Sequence, residues 1–296
     1  MTDAVHARRQ LAFPVIFVLL WSTGFIAVKY GLPYAPPLKF LLYRFAFAAA
    51  LMAIVALLTR APWRYSMVEV GHIAVSAWLV HGVYLGGVFI AIAGGMPAGI
   101  AALLVGLQPI LTVIIARYWF GERVVLRQWA GLALGFAGVW LVVRHKLAPT
   151  ADATGLIAIA AALVGISVGT LYQKRFCSHV DLRSGAVIQF AACALVYLPI
   201  VSALEPAPVR FTLEFALALA WLVVVLSVGA ISLFYWLLRH GAAANVARLF
   251  FLVPAVTALM AALLFGETLD AIAIAGMVLI GVGVVLARAD TPAGET

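Results

Sequence analysis

The stretch from Leu104 to Val143 aligns without a gap on Leu249 to Arg288, at a constant offset of 145 residues and with fourteen identities in forty positions. The identities include Pro109/Pro254, Thr112/Thr257, Phe120-Gly121-Glu122 against Phe265-Gly266-Glu267, Gly131/Gly276 and Gly138/Gly283. The same offset pairs Ser22 with Ser167, Gly24 with Gly169 and Lys29 with Lys174. A chain built this way is one unit used twice, and its fold must suit both copies. A unit that crosses a membrane an odd number of times must enter it in opposite orientations when repeated. Inverted repeats of that kind are a known way to build alternating-access transporters.

The membrane setting follows from composition. The chain is 66% hydrophobic and 10% charged, where a soluble domain averages about 25% charged residues. A helix needs roughly 20 apolar residues to cross the hydrocarbon core. Ten such spans are predicted, at about 11–30, 38–59, 67–92, 96–119, 125–144, 154–175, 184–203, 212–237, 243–264 and 269–287. Proline, glycine and charge punctuate them, as at Pro33 to Pro37, Gly94-Gly95-Met96-Pro97 and Glu205 to Pro208. The expected fold is an all-α integral membrane protein of ten transmembrane helices. It divides into a first five-helix repeat, 1–148, and a second, inverted one, 149–296.

The net charge of +8 does not point to nucleic acid, because the basic residues sit singly between apolar runs. With the N-terminus inside, twelve Lys and Arg residues fall on the cytoplasmic side, among them Arg60, Arg64, Arg117 and Arg239. Five fall outside: Lys29, Lys39, Arg144, Lys146 and Arg210. Both termini are therefore expected in the cytoplasm. Arg8 and Arg9 precede the first apolar stretch with no small-residue cleavage site after it, so no cleavable signal peptide is expected. The two cysteines, Cys177 and Cys193, are too few and too isolated for a zinc site or a disulfide framework.

The repeated segment carries a recognisable pattern. Leu107-Gln108-Pro109-Ile110-Leu111-Thr112 with Phe120-Gly121-Glu122-Arg123 resembles the fourth span of the EamA branch of the drug/metabolite transporter superfamily. Leu252 to Thr257 with Phe265 to Thr268 repeats it. Leu20-Trp21-Ser22-Thr23-Gly24-Phe25 and Tyr43-Arg44-Phe45 resemble the same family's first and second spans. The resemblance covers nearly the whole chain. It implies a 5+5 inverted-repeat exporter of small metabolites in the bacterial cytoplasmic (inner) membrane, most like exporters of aromatic and other neutral amino acids. The chain departs from a strict repeat where Gly165-Ile166-Ser167 stands opposite Leu20-Trp21-Ser22, and Gln189 opposite Arg44.

Polar groups at mid-bilayer are costly and default to functional candidates. Span three offers Trp78, His81 and Tyr84 at i, i+3 and i+6, which on an α-helix form one slanting stripe. Span four offers Gln108, span one Trp21 and Ser22, span eight Ser227, and Asn245 precedes Arg248 by one turn. The repeat supplies a control. Trp78, His81, Tyr84 and Gln108 stand opposite Val223, Leu226, Gly229 and Val253. A substrate lacks the protein's pseudo-symmetry, so its contacts should break the repeat. These residues are expected to line a central aromatic cavity suited to a zwitterion with an apolar side chain. Each also has a plain reading, as packing or as an interhelical hydrogen bond. Snorkelling to the headgroups explains Arg44 and Arg248 equally well, with a carboxylate contact as the alternative. Arg44 is grouped with the structural residues, as are the loop anchors Glu122 and Glu267. Pro109 and Pro254 are expected hinges. Gly131, Gly135 and Gly138 in span five and Gly276, Gly281 and Gly283 in span ten are expected to let those helices approach closely.

No Asp or Glu lies at mid-depth in a predicted span, which argues against exchange of a proton for a cation. Among mid-membrane groups His81 alone titrates near neutrality, so it couples protons or the protein is a facilitator. His-Glu-x-x-His, Gly-x-Ser-x-Gly and a phosphate loop are missing from the sequence, so neither an enzyme nor a cofactor is expected. The expected partners are a small-molecule substrate and the lipid bilayer, without nucleic acid, for a chain acting as a monomer. The alternative to amino acids is a broad range of neutral drugs or other small metabolites.

Overall fold

The computed structural model describes residues 2–120, 125–143, 153–240, 246–265 and 271–287. The helices are α1 (Thr2–Gly31), α2 (Pro37–Leu58), α3 (Met67–Ala93), α4 (Ala98–Trp119), α5 (Leu126–Val143), α6 (Ala153–Phe176), α7 (Leu182–Leu204), α8 (Leu213–His240), α9 (Leu252–Phe265) and α10 (Ala271–Leu286). Among the described residues there is no strand. Seven helices, α1–α4 and α6–α8, are long and apolar enough to cross a bilayer. The described parts of α5, α9 and α10, with 18, 14 and 16 residues, stand where spans five, nine and ten are expected.

Helix starts follow local chemistry. The α3 start is a capping box: Ser66 Oγ accepts from the Glu69 amide at 3.2 Å, and the Ser66 amide donates back to the Glu69 carboxylate at 2.7 Å. Thr212 caps α8, and Asp181 caps α7 through the amides of Arg183 and Ser184. The α2 start differs. Pro36 and Pro37 carry no N–H, and the next two amides, of Leu38 and Lys39, both donate to the Glu205 carboxylate at 3.0 and 2.6 Å.

That contact sets the geometry of the bundle. Glu205 follows the end of α7 and meets the start of α2. At the opposite end, the Asp181 amide donates to Tyr65 Oη (3.1 Å), Tyr65 and Ser184 hydroxyls pair at 2.7 Å, and Arg183 donates to the Thr59 carbonyl (3.1 Å). So α2 and α7, equivalent by the 145-residue offset, lie side by side in opposite directions. Each is held at its start by the loop that follows the other.

The α5–α10 pair is also antiparallel. A Cβ at Gly131 would lie 2.4 Å from the Ala287 nitrogen, one at Gly138 2.6 Å from the Gly276 carbonyl oxygen, and one at Gly283 2.5 Å from the Gly135 nitrogen. Lipid tails are as apolar as leucine, so membrane helices gain from shape and close backbone approach rather than from escape from water. These glycines provide that approach. Gly281 faces open space and takes no part in it.

Two irregularities recur in register with the repeat. The middle of α3 is a π-helix, Trp78–Val83, and the middle of α8 is another, Leu222–Ala230. Shifting 78–83 by 145 gives 223–228, inside the second. The path of α4 breaks at Gly106–Leu107, between Ala98–Val105 and Gln108–Phe120, and the equivalent place before α9 is a 3-10 turn, Arg248–Phe251. Each break falls just before its proline, Pro109 or Pro254. The two breaks face each other: a Cβ on Gly106 would sit 3.2 Å from Pro254 Cγ.

Candidate functional site

Between α1, α2, α3 and α8 lies a narrow cavity, about 410 Å³ only when its open mouth is counted. Its walls are largely apolar and aromatic: Trp21, Phe25 and Val28 from α1, Tyr84, Val88 and Phe89 from α3, Leu226 and Ile231 from α8. Trp21 and Tyr84 stack with ring centroids 6.2 Å apart, and the indole N–H donates to Tyr84 Oη at 3.2 Å. Phe17, Phe234 and Phe250 brace the far side of Trp21 at 5.0–5.4 Å. An aromatic wall with a few fixed polar groups is the usual make-up of a small-molecule site.

The cationic member of the lining is Arg44. It is 3% exposed, and its Nε donates to Ser227 Oγ at 3.0 Å. Sequence reasoning placed it among the structural, snorkelling residues. It starts roughly 10 Å into α2, within reach of the headgroups, yet the guanidinium turns inward. Arg44, Trp21, Tyr84 and Ser227 stand opposite Gln189, Ile166, Gly229 and Gly82 in the other repeat. The pseudo-symmetric location therefore has neither the charge nor the aromatic pair.

The residues expected to share a stripe on α3 part company. Trp78 is 42% exposed and faces outward, its indole N–H donating to the Ala192 carbonyl at 3.3 Å in a groove with Gly82, Val83 and Tyr197. It does not reach the cavity, so its expected place in the lining is corrected. The π-helix explains this. Its i→i+5 bonding turns the chain less per residue than an α-helix, so positions i, i+3 and i+6 no longer stay on one face. Tyr84 faces the cavity. His81 is fully buried nearby, with Nε2 3.2 Å from Tyr235 Oη and its ring 4.9 Å from Phe190, and it is outside the cavity lining.

Gln108 is also buried off the cavity, donating to Thr170 Oγ1 at 3.2 Å. Ser22 donates to the carbonyls of Val18 (2.7 Å) and Val253 (3.4 Å), tying α1 to the turn before Pro254. Arg248 opens the 3-10 turn, half-buried and away from the cavity. Asn245, Glu122 and Glu267 lie outside the described residues.

The cavity has two unlike ends. Beyond Val28 and Phe89, Lys29, Leu32, Pro33, Tyr34, Ile92 and Arg210 surround a wider vestibule that is open to solvent. Toward the other face, buried polar side chains fill the space. Ser76 donates to Gln173 Oε1, Gln189 donates to the same oxygen at 3.2 Å, and the His81–Tyr235 pair lies beside them. Sequence reasoning missed this cluster: it did not single out Gln173 or Tyr235, and it read Gln189 as a departure from the strict repeat.

Comparison with known proteins agrees with this architecture. Residues 10–144 and 153–289 each match the EamA-like transporter family. The chain is 26% identical to a "probable amino-acid metabolite efflux pump" of Salmonella typhimurium, covering 94% of both chains. It is 27% identical to the uncharacterized inner membrane transporter YedA of Escherichia coli K12, over 89% of this chain and 87% of that one. It is likewise 27% identical to the uncharacterized transporter YvbV of Bacillus subtilis, over 93% and 90%. A solved crystal structure 22% identical to this chain superposes with a TM-score of 0.76, covering 94% of this chain and 96% of the other, which speaks for the fold.

Proposed function

Because this chain belongs to the EamA-like transporter family, we propose that it is a secondary transporter of the bacterial inner membrane that exports aromatic and other neutral amino acids. Ten membrane helices form two inverted five-helix halves, with both termini in the cytoplasm. The observation that carries the substrate reading is the cavity. Trp21, Phe25, Tyr84 and Phe89 give an apolar side chain its surroundings, and Arg44 and Ser227 supply polar anchors. The cation in this wall disfavours a positively charged drug, leaving neutral and zwitterionic solutes.

Alternating access has a physical basis here. With the termini in the cytoplasm, the open vestibule belongs to the outer face and the glutamine cluster to the closed inner one. α2 and α7 are clasped at both ends and α5 and α10 are packed backbone to backbone, so these pairs move as units. The facing breaks at Gly106–Leu107 and 248–251 bend instead, reassigning Pro109 and Pro254 from hinge points to the first turns beyond the hinges. Opening inward would part the Gln173–Gln189–His81 cluster, the pseudo-symmetric counterpart of the present cavity. Its groups could re-pair with water once exposed.

The test is growth protection and efflux. Cells expressing the protein should resist toxic phenylalanine and tryptophan analogues and lose labelled phenylalanine faster than controls, and Trp21→Ala at normal membrane abundance should abolish both. Unchanged sensitivity and unchanged efflux across neutral amino acids would refute the reading.

A further inference from the structure

Arg44 has more hydrogen-bonding capacity than the protein uses. A guanidinium carries five N–H donors, and the bond to the neutral Ser227 hydroxyl occupies that on Nε. Its terminal nitrogens have no protein partner among the described residues and border the cavity. The nearby titratable groups, Tyr84 and His81, offer no negative charge, and no Asp or Glu is among the buried described residues. A charge at this depth without a counter-ion is costly and persists where it pairs in function. Its repeat equivalent, Gln189, is neutral and already hydrogen-bonded to Gln173, so the helix pairing does not call for a cation.

We propose that Arg44 is the specificity-determining residue of the cavity. Its Nη1 and Nη2 groups bind the carboxylate of the transported molecule, and Ser227 holds the guanidinium in the orientation that presents this fork. A planar guanidinium pairs with a carboxylate through two parallel hydrogen bonds, which an ammonium cannot reproduce. The aromatic wall beside it takes the apolar part of the same molecule. The protein thus selects for an anionic group next to an apolar body, and it rejects the amide or amine that has the same shape without the charge. This deepens the amino-acid reading of the cavity and can be judged separately from it.

The experiment uses the full-length protein in proteoliposomes and in detergent. Counterflow of labelled L-phenylalanine is competed with unlabelled L-phenylalanine, L-phenylalaninamide, phenethylamine, 3-phenylpropionate and 3-phenylpropionamide. In the wild type the two acids should compete better than their amides by roughly tenfold or more, as loss of a charged hydrogen bond implies. In Arg44→Gln that preference should collapse, and Arg44→Lys should recover part of it. Ser227→Ala should weaken it while leaving the aromatic preference intact. Equal competition by acid and amide in the wild type, or a preference unchanged in Arg44→Gln, would overturn the proposal.

If no neutral amino acid is transported, the amino-acid reading fails and thermal shift decides the present one. 3-Phenylpropionate should then raise the unfolding temperature of the wild type above the effect of its amide, and should not do so in Arg44→Gln. No such difference in the wild type, or the same difference in the variant, overturns it. Arg44→Met separates a binding role from a structural one: the empty protein should be at least as stable as the wild type and yet lack the acid preference. A clear loss of thermal stability in the Arg44→Met protein would assign the arginine to the scaffold.

Discussion

Glu205→Ala should loosen the outer end of the α2–α7 pair by an amount that the structure sets. Pro36 and Pro37 lack N–H groups, so the exposed donors at the α2 start are the Leu38 and Lys39 amides, and both are satisfied by one carboxylate at 3.0 and 2.6 Å. A hydrogen bond to a charged group contributes about 1.5–3 kcal/mol, and a carboxylate at a helix start gains from the dipole. Glu205 is half-buried, so water replaces part of what is lost, and the two bonds together should be worth roughly 2–3 kcal/mol. Glu205→Gln keeps one acceptor oxygen and should lose about 1 kcal/mol. The eight tryptophans allow unfolding to be followed by intrinsic fluorescence in detergent. At about 2–4 °C per kcal/mol, Glu205→Ala should melt roughly 4–12 °C below wild type, with Glu205→Gln between them. A Glu205→Ala melting point within about a degree of wild type would show that water caps α2 as well as the carboxylate does.

Other substitutions test other joints. Gly138→Val drives its Cβ against the backbone of Gly276 and Ile280, which cannot give way as a flexible side chain would. It should cost about 3 kcal/mol or more and reduce the monodisperse yield on size exclusion, whereas Gly281→Ala, facing open space, should be neutral. Trp21→Ala removes the stack and hydrogen bond to Tyr84 and should abolish efflux, while Trp78→Ala, on the outside of the helix bundle, should keep efflux within about twofold of wild type. The Asp181 carboxyl is held below the usual carboxylate range, chiefly by the side-chain hydrogen bond from Arg183. Its contribution to stability is present above the ordinary carboxylate pKa and is lost as pH falls through the lowered one. Asp181→Asn should therefore flatten the acid limb of a melting-temperature profile, and an unchanged limb would show that the carboxylate adds nothing at the α7 start.

What could be read from the residues follows the repeat. Pro109/Pro254 and the paired Phe-Gly-Glu stretches carried the family resemblance, and the family match falls on both halves of the chain. Close approach at Gly131, Gly138 and Gly283 was legible because a small side chain has few other uses at that spacing. Placing Trp78 in the cavity failed because the stripe assumed α-helical geometry. A π-helix has no residue signature of its own, and Trp-Leu-Val-His-Gly-Val reads as ordinary helix. Arg44 was visible as a break in the repeat, but whether a long side chain turns to the headgroups or inward depends on a partner 183 positions away in sequence, Ser227. The Glu205 clasp was hidden for the same reason: a carboxylate in a loop reads as solvated until the start of α2 is brought against it.

The most direct test of the central claim is the sidedness of two loops related by the 145-residue offset. In a background with Cys177 and Cys193 replaced by alanine, single cysteines at the exposed positions Ser66 and Phe211 are treated in intact cells with a membrane-impermeant maleimide. The account predicts that Phe211→Cys is labelled at once and Ser66→Cys after the membrane is permeabilised. Labelling of both from the same side would contradict the inverted arrangement on which the cavity, its closed inner end and the transport cycle depend.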